Sequence, residues 1–136
     1  MKHLLFGAAA MMMASSAQAQ VVQVGQGDWS SVPAIHARGQ IRLGDTMLAR
    51  LHELGAQQVC NVPGLSRRLV DLTVPFVIRF TPQGDVEQIV VRNTGCPQLE
   101  SIVGGAVLQM ARAGEYRPTG ENQERWYRSE LSFVSR

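Results

Sequence analysis

Cysteine and histidine are the residues of this chain best equipped for chemistry, and both are scarce. The two cysteines are Cys60 and Cys96. In an exported chain an even cysteine count invites a bridge, and two cysteines allow only one intramolecular pairing. Closing a loop of about 37 residues is worth near 4 kcal/mol in the chain-entropy model. The rival reading is a reactive thiol: Cys96 precedes Pro97 at a helix start, where a thiolate is stabilised. No Cys-x-x-Cys pair occurs, which argues against a thiol oxidoreductase. His52-Glu53 has the first two letters of a zinc-protease helix, but position 56 is Ala where the second His belongs. That leaves a solvated histidine near a helix end. His36 has no partner near it in sequence. Gly25-Gln26-Gly27 lacks the third glycine and preceding strand of a dinucleotide loop. The sequence therefore assigns no catalytic residue, no metal ligand and no cofactor.

The compartment follows from residues 1–20, MKHLLFGAAAMMMASSAQAQ. Lys2 and His3 give a basic start. Leu4 to Ala14 is apolar but short of the roughly 20 residues that span a bilayer. Ala17-Gln18-Ala19 supplies the small-x-small pattern of a signal-peptidase site, so residues 1–19 read as a secretory signal cleaved after Ala19. The rival is an uncleaved anchor. Met11-Met12-Met13 belongs to the apolar core of the signal and is not a metal-binding cluster. After cleavage no membrane span is expected, and the location implied is the periplasm. Of 13 basic residues only Lys2 is a lysine, so twelve arginines then face eleven acids. That balance excludes the strongly basic surface of a nucleic-acid binder.

Residues 20–42 read as an N-terminal arm, loose over Gln20 to Gly27, with one helical turn over Asp28 to Ile35 and Trp29 packing onto the domain. Residues 43–136 carry the domain. Leu43, Met47, Leu51 and Leu54 fall on one helical stripe, with Asp45 expected to cap its start and Gly55 to end it. Leu72, Val74, Phe76, Ile78 and Phe80 alternate with more polar neighbours, the period of a half-buried strand. Pro75 must take an unpaired position or a bulge. Thr81-Pro82-Gln83-Gly84-Asp85 is a hairpin loop, and Val86 to Arg92 the return strand. Pro97 opens a second helix bearing Leu99, Ile102, Val103, Ala106, Val107, Met110 and Ala111 on one face. Gly104 and Gly105 suit a close approach to a sheet, and Gly114 ends the helix. Arg125 to Val134 is the last strand, with Tyr127, Leu131 and Phe133 on one face and Trp126, Arg128 and Glu130 on the other. The order predicts an α+β fold, a two-layer sandwich of a three-stranded antiparallel sheet with helices packed on one face, the last strand pairing antiparallel with the first.

Part of this order resembles the C-terminal domain of TonB, the periplasmic end of a bacterial energy transducer. Val74-Pro75-Phe76-Val77-Ile78-Arg79-Phe80 with Thr81 to Val86 is similar to that family's strand, its Asp-Gly hairpin and its return strand. Val90 to Leu99 is similar to its passage into the helix, Tyr116-Arg117-Pro118 to its aromatic-x-Pro element, and Trp126 to Phe133 to its last strand. The matching stretch is Val74 to Phe133. The chain departs from the family in its cleavable signal, in lacking a Pro-rich spacer, and in having Leu65 to Leu69 where the domain usually opens on Tyr-Pro.

The resemblance implies a binding module. In that family receptors add a short strand to an exposed sheet edge, whose unpaired N–H and C=O groups give affinity while alternate side chains select the partner. The corresponding edge here is Arg125, Trp126, Tyr127, Arg128, Ser129, Glu130 and Leu131. The partner implied is a protein of the cell envelope, such as an outer-membrane receptor. The same edge suits a homodimer. The alternative is a small periplasmic enzyme or ligand-binding protein, though a domain this small has little room for a deep pocket.

Overall fold

In the computed structural model the residues described are 21–38, 44–118 and 125–135. The signal segment, Leu43 and Arg136 lie outside them. The elements are β1 (Val22–Gly25), α1 (Asp45–Gln57), β2 (Val70–Phe80), β3 (Val86–Arg92), α2 (Pro97–Arg112) and β4 (Trp126–Ser135).

The α+β class holds, but the three-stranded antiparallel sheet gives way to a mixed sheet of four strands in the order β1-β3-β2-β4. β2 is antiparallel to both β3 and β4, as the alternation and hairpin require. The added strand is β1, parallel to β3 with Val22 beside Ile89 and Gly25 beside Arg92. Its four residues VQVG were expected as loose arm. Their pairing is with a strand more than sixty positions away, and no local turn announces it.

Alternation places the even-numbered residues of β2 in the core, where Phe76 and Ile78 are fully buried. Pro75 stands opposite Glu130 of β4. The β2–β3 pairing ends at Phe76–Val91. Since Arg128, opposite Val77, turns its backbone groups away from β2, Val77 and Pro75 turn theirs toward β3. The missing Pro75 N–H thus falls just past the end of that ladder and costs no bond. The ladder carries its irregularity at the hairpin end instead, between Arg79 and Phe80.

α2 packs by its predicted stripe, with Leu99, Val103 and Val107 fully buried. Gly104 lets it sit on β1 and β3: a Cβ there would come within 2.3 Å of a Val22 methyl carbon. A Gly104→Ala substitution should therefore lift β1 from the helix and lower stability by about 1–3 kcal/mol, with faster amide exchange at Gln23 and Gly25, whose N–H groups the parallel register turns toward β3, as the local signature. In α1, Gly44 occupies the cap position, Asp45 lies in the first turn, and the helix runs through Gly55 to a left-handed Gln58. Gly55 is needed for proximity, since a Cβ would meet the Ser66 carbonyl oxygen at 2.5 Å. The helix end predicted there moves three residues on.

Cys60 and Cys96 form a disulfide, joining the segment after α1 to the cap of α2 with Cα atoms 5.4 Å apart.

Candidate functional site

β4 ends the sheet, so one side of its backbone is not paired with β2. Alternation settles which groups lie there. Arg128 N–H donates to the Pro33 carbonyl at 2.8 Å and Arg128 C=O accepts from Ile35 N–H at 2.9 Å, both outside the sheet. Trp126, Glu130, Ser132 and Val134 share that outward direction, whereas Tyr127, Ser129 and Leu131 turn their backbone groups toward β2. Of the residues expected at the edge, then, Arg128 and Glu130 present backbone groups outward well inside the strand. Trp126 does so at its start, and Arg125 is exposed just before it. Tyr127 and Leu131 bury their side chains in the core, and Ser129 is half-buried.

The edge is not bare along its whole length. Residues 26–38 form a strap. In place of the helical turn expected over Asp28 to Ile35 it makes a tight turn at Ser30–Ser31 and then runs extended, because its backbone pairs with β4. It leaves β1, passes β3 where the Arg92 guanidinium stacks 4.4 Å from the Trp29 ring centroid, and reaches β4. There Ala34 bridges Arg128 in parallel orientation. Arg128 Nε adds a third bond, donating to the Val32 carbonyl at 2.8 Å. Ile35 then enters the core at 4% exposure, and Arg38 N–H donates to the Glu115 carbonyl beyond it. Asp28 starts the turn by accepting from Ser30 N–H at 3.0 Å. Hydrogen bonds from Ser30, with Arg92 nearby, hold its carboxyl below the usual range. Past Arg128, the outward groups of Glu130, Ser132 and Val134 have no partner among the described residues.

The strap and the sheet enclose a cleft of about 590 Å³ lined by Trp29, Pro75, Arg92, Arg128 and Glu130 among others. The sheet face turned from the core carries a second arginine–tryptophan stack, Arg79 over Trp126 at 5.2 Å, with Glu87 3.3 Å from Arg79 Nε. Cation–π contacts of this kind are worth about 0.5–1 kcal/mol at exposed sites and more when desolvated. On the core side Tyr116 meets Phe76 edge to face at 5.7 Å. Burial is the main force pushing its hydroxyl pKa up.

The two histidines stay apart. His36 is exposed on the strap. His52 is half-buried and bonded on both nitrogens, to the Arg67 carbonyl at 3.3 Å and to Ser135 Oγ at 2.9 Å. A carbonyl only accepts, so Nδ1 carries the proton toward Arg67, and in the neutral ring Nε2 accepts from Ser135. The expected solvated residue instead ties α1 to the end of β4. Among the described residues no three of His, Cys, Asp and Glu converge as a metal site.

Glu100, on α2, went unread in the sequence. It is 5% exposed and accepts from Thr94 N–H at 2.7 Å and Thr94 Oγ1 at 2.9 Å. A threonine shortly before a helix and a glutamate in its first turn was the available signal, a relative of the capping box. Glu100→Ala should cost about 1–3 kcal/mol, because it strands a half-buried N–H; a urea titration reads it directly.

Comparison with protein-family models, with curated proteins and with solved structures returns no match to this chain.

Proposed function

We infer that this protein is a periplasmic protein–protein interaction module, similar in plan to the TonB C-terminal domain, that recruits an envelope partner by strand addition to β4. The observation that carries this reading is the outward row Glu130, Ser132 and Val134. Three residues' N–H and C=O groups stand on an edge, next to a place where the chain itself already pairs in that way. Main-chain bonds of this type give affinity without deep pockets. The disulfide supports an oxidising compartment. No described helix is long and apolar enough to cross a membrane.

The substitution that tests it is Ser132→Pro. It deletes an outward N–H and leaves the β2 ladder intact, whereas proline at Leu131 would break a bond inside the sheet. The parent protein immobilised on resin should retain a partner from the envelope of the source cell. Ser132→Pro, and Val134→Pro as a second block, should each lose at least nine-tenths of it while melting within a few degrees of the parent. Equal retention by folded variants contradicts strand addition.

A further inference from the structure

The strap already does at Arg128 what a guest strand would do along the edge. It runs extended and parallel to β4, exchanges two backbone bonds with Arg128, and receives a third from the guanidinium. Its side chains divide as a bound peptide's do: Pro33, Ala34 and His36 are exposed, while Ile35 is buried in the core. Backbone pairing plus one buried anchor is the general form of recognition at a sheet edge.

We propose that residues 32–35 are an internal stand-in for the partner. The segment recognised at β4 is accordingly an extended peptide running parallel to the strand, with an aliphatic side chain that takes the place of Ile35. This rests on the strand-addition reading and specifies its partner and its regulation. The row Glu130–Val134 offers a first foothold, and displacement of the strap then opens Arg128 and the Ile35 slot. The strap is a competitor, so the guest's apparent affinity falls in proportion to the fraction of molecules in which the strap is displaced. The stack of Trp29 on Arg92 and the Arg38–Glu115 bond hold the strap on either side of the slot and set that fraction.

The test uses a fluorescent peptide of residues 30–37, SSVPAIHA, titrated into the full chain. Ile35→Ala vacates the slot directly. Trp29→Ala loosens the strap and leaves the core unaltered, so the test survives if the first variant folds poorly. Both should bind the peptide at least tenfold tighter than the parent, and a peptide with Asp in place of its Ile should bind none of them. Equal affinities for parent and variants, or equal binding of the Asp peptide, overturn the proposal. If capture from the envelope still depends on Ser132 while peptide affinity ignores the strap, this inference falls and strand addition stands. If capture ignores Ser132 while the strap still governs peptide affinity, the proposed function falls and the displaceable strap remains.

Discussion

Cys60→Ser lowers the unfolding free energy by about 4 kcal/mol under oxidising conditions and changes little once a reductant is present. The bridge spans 36 positions and encloses both strands of the central hairpin. Cutting it frees the unfolded chain to sample conformations that the closed loop forbids. Small domains have total stabilities of about 5–15 kcal/mol, so the loss is a large share. In guanidinium titrations the parent should drop to the variant's midpoint when reductant is added, and the variant should not move. Equal midpoints for oxidised parent and variant would show that the crosslink contributes nothing to folding.

Val103→Asp should abolish the folded state. Val103 is fully buried on the face of α2 that meets the sheet, within one core that also holds Phe76, Ile89 and Val91. The substitution removes a packed side chain, at about 1–3 kcal/mol, and buries a carboxylate with no donor nearby, which costs several more. Together these match the lower half of the range of about 5–15 kcal/mol for small domains, enough to remove the fold of a domain this size. Near-ultraviolet circular dichroism should lose its fine structure and the thermal transition should vanish. A cooperative melt for this variant would mean that α2 presents a different face to the sheet.

The elements built on local pattern were legible. Period-two alternation marked β2, a proline and a glycine marked the hairpin, and the apolar stripe marked α2. Each signal lies within a dozen or so residues, and the core they share is a consequence of amphipathicity. What the sequence hid was long-range. β1 is four residues of Val, Gln and Gly whose partner is chosen by the slot that Gly104 leaves beside β3. Gly55 has the look of a helix end yet serves a close approach to Ser66. The last strand could be read from its alternation, but its place at the edge could be anticipated only through the resemblance to the TonB C-terminal domain. The edge's partial cover could not be anticipated at all, because Ala34 and Arg128 meet across nearly the whole domain. Arg128, singled out as a residue to contact a partner, contacts the chain's own strap.

The arginine–tryptophan stacks were equally hidden. Arg79 and Trp126 are cross-strand neighbours only once the β2–β4 register is known. Arg92 and Trp29 meet only because the strap crosses from β1 toward β4. Both pairs lie on the face opposite the helices, where a charged side chain can lie flat on an aromatic ring and keep part of its surface in water.

The most direct test of strand addition is amide hydrogen exchange on the protein with its captured partner bound. Glu130, Ser132 and Val134 should exchange at least tenfold more slowly in the complex than in the isolated protein, with Leu131 and Phe133, already bonded to β2, nearly unchanged. Slowing confined to another surface, such as the groove between α1 and α2 lined by Met47, Leu54 and Ile102, with β4 amides unaffected, would contradict recognition at this edge.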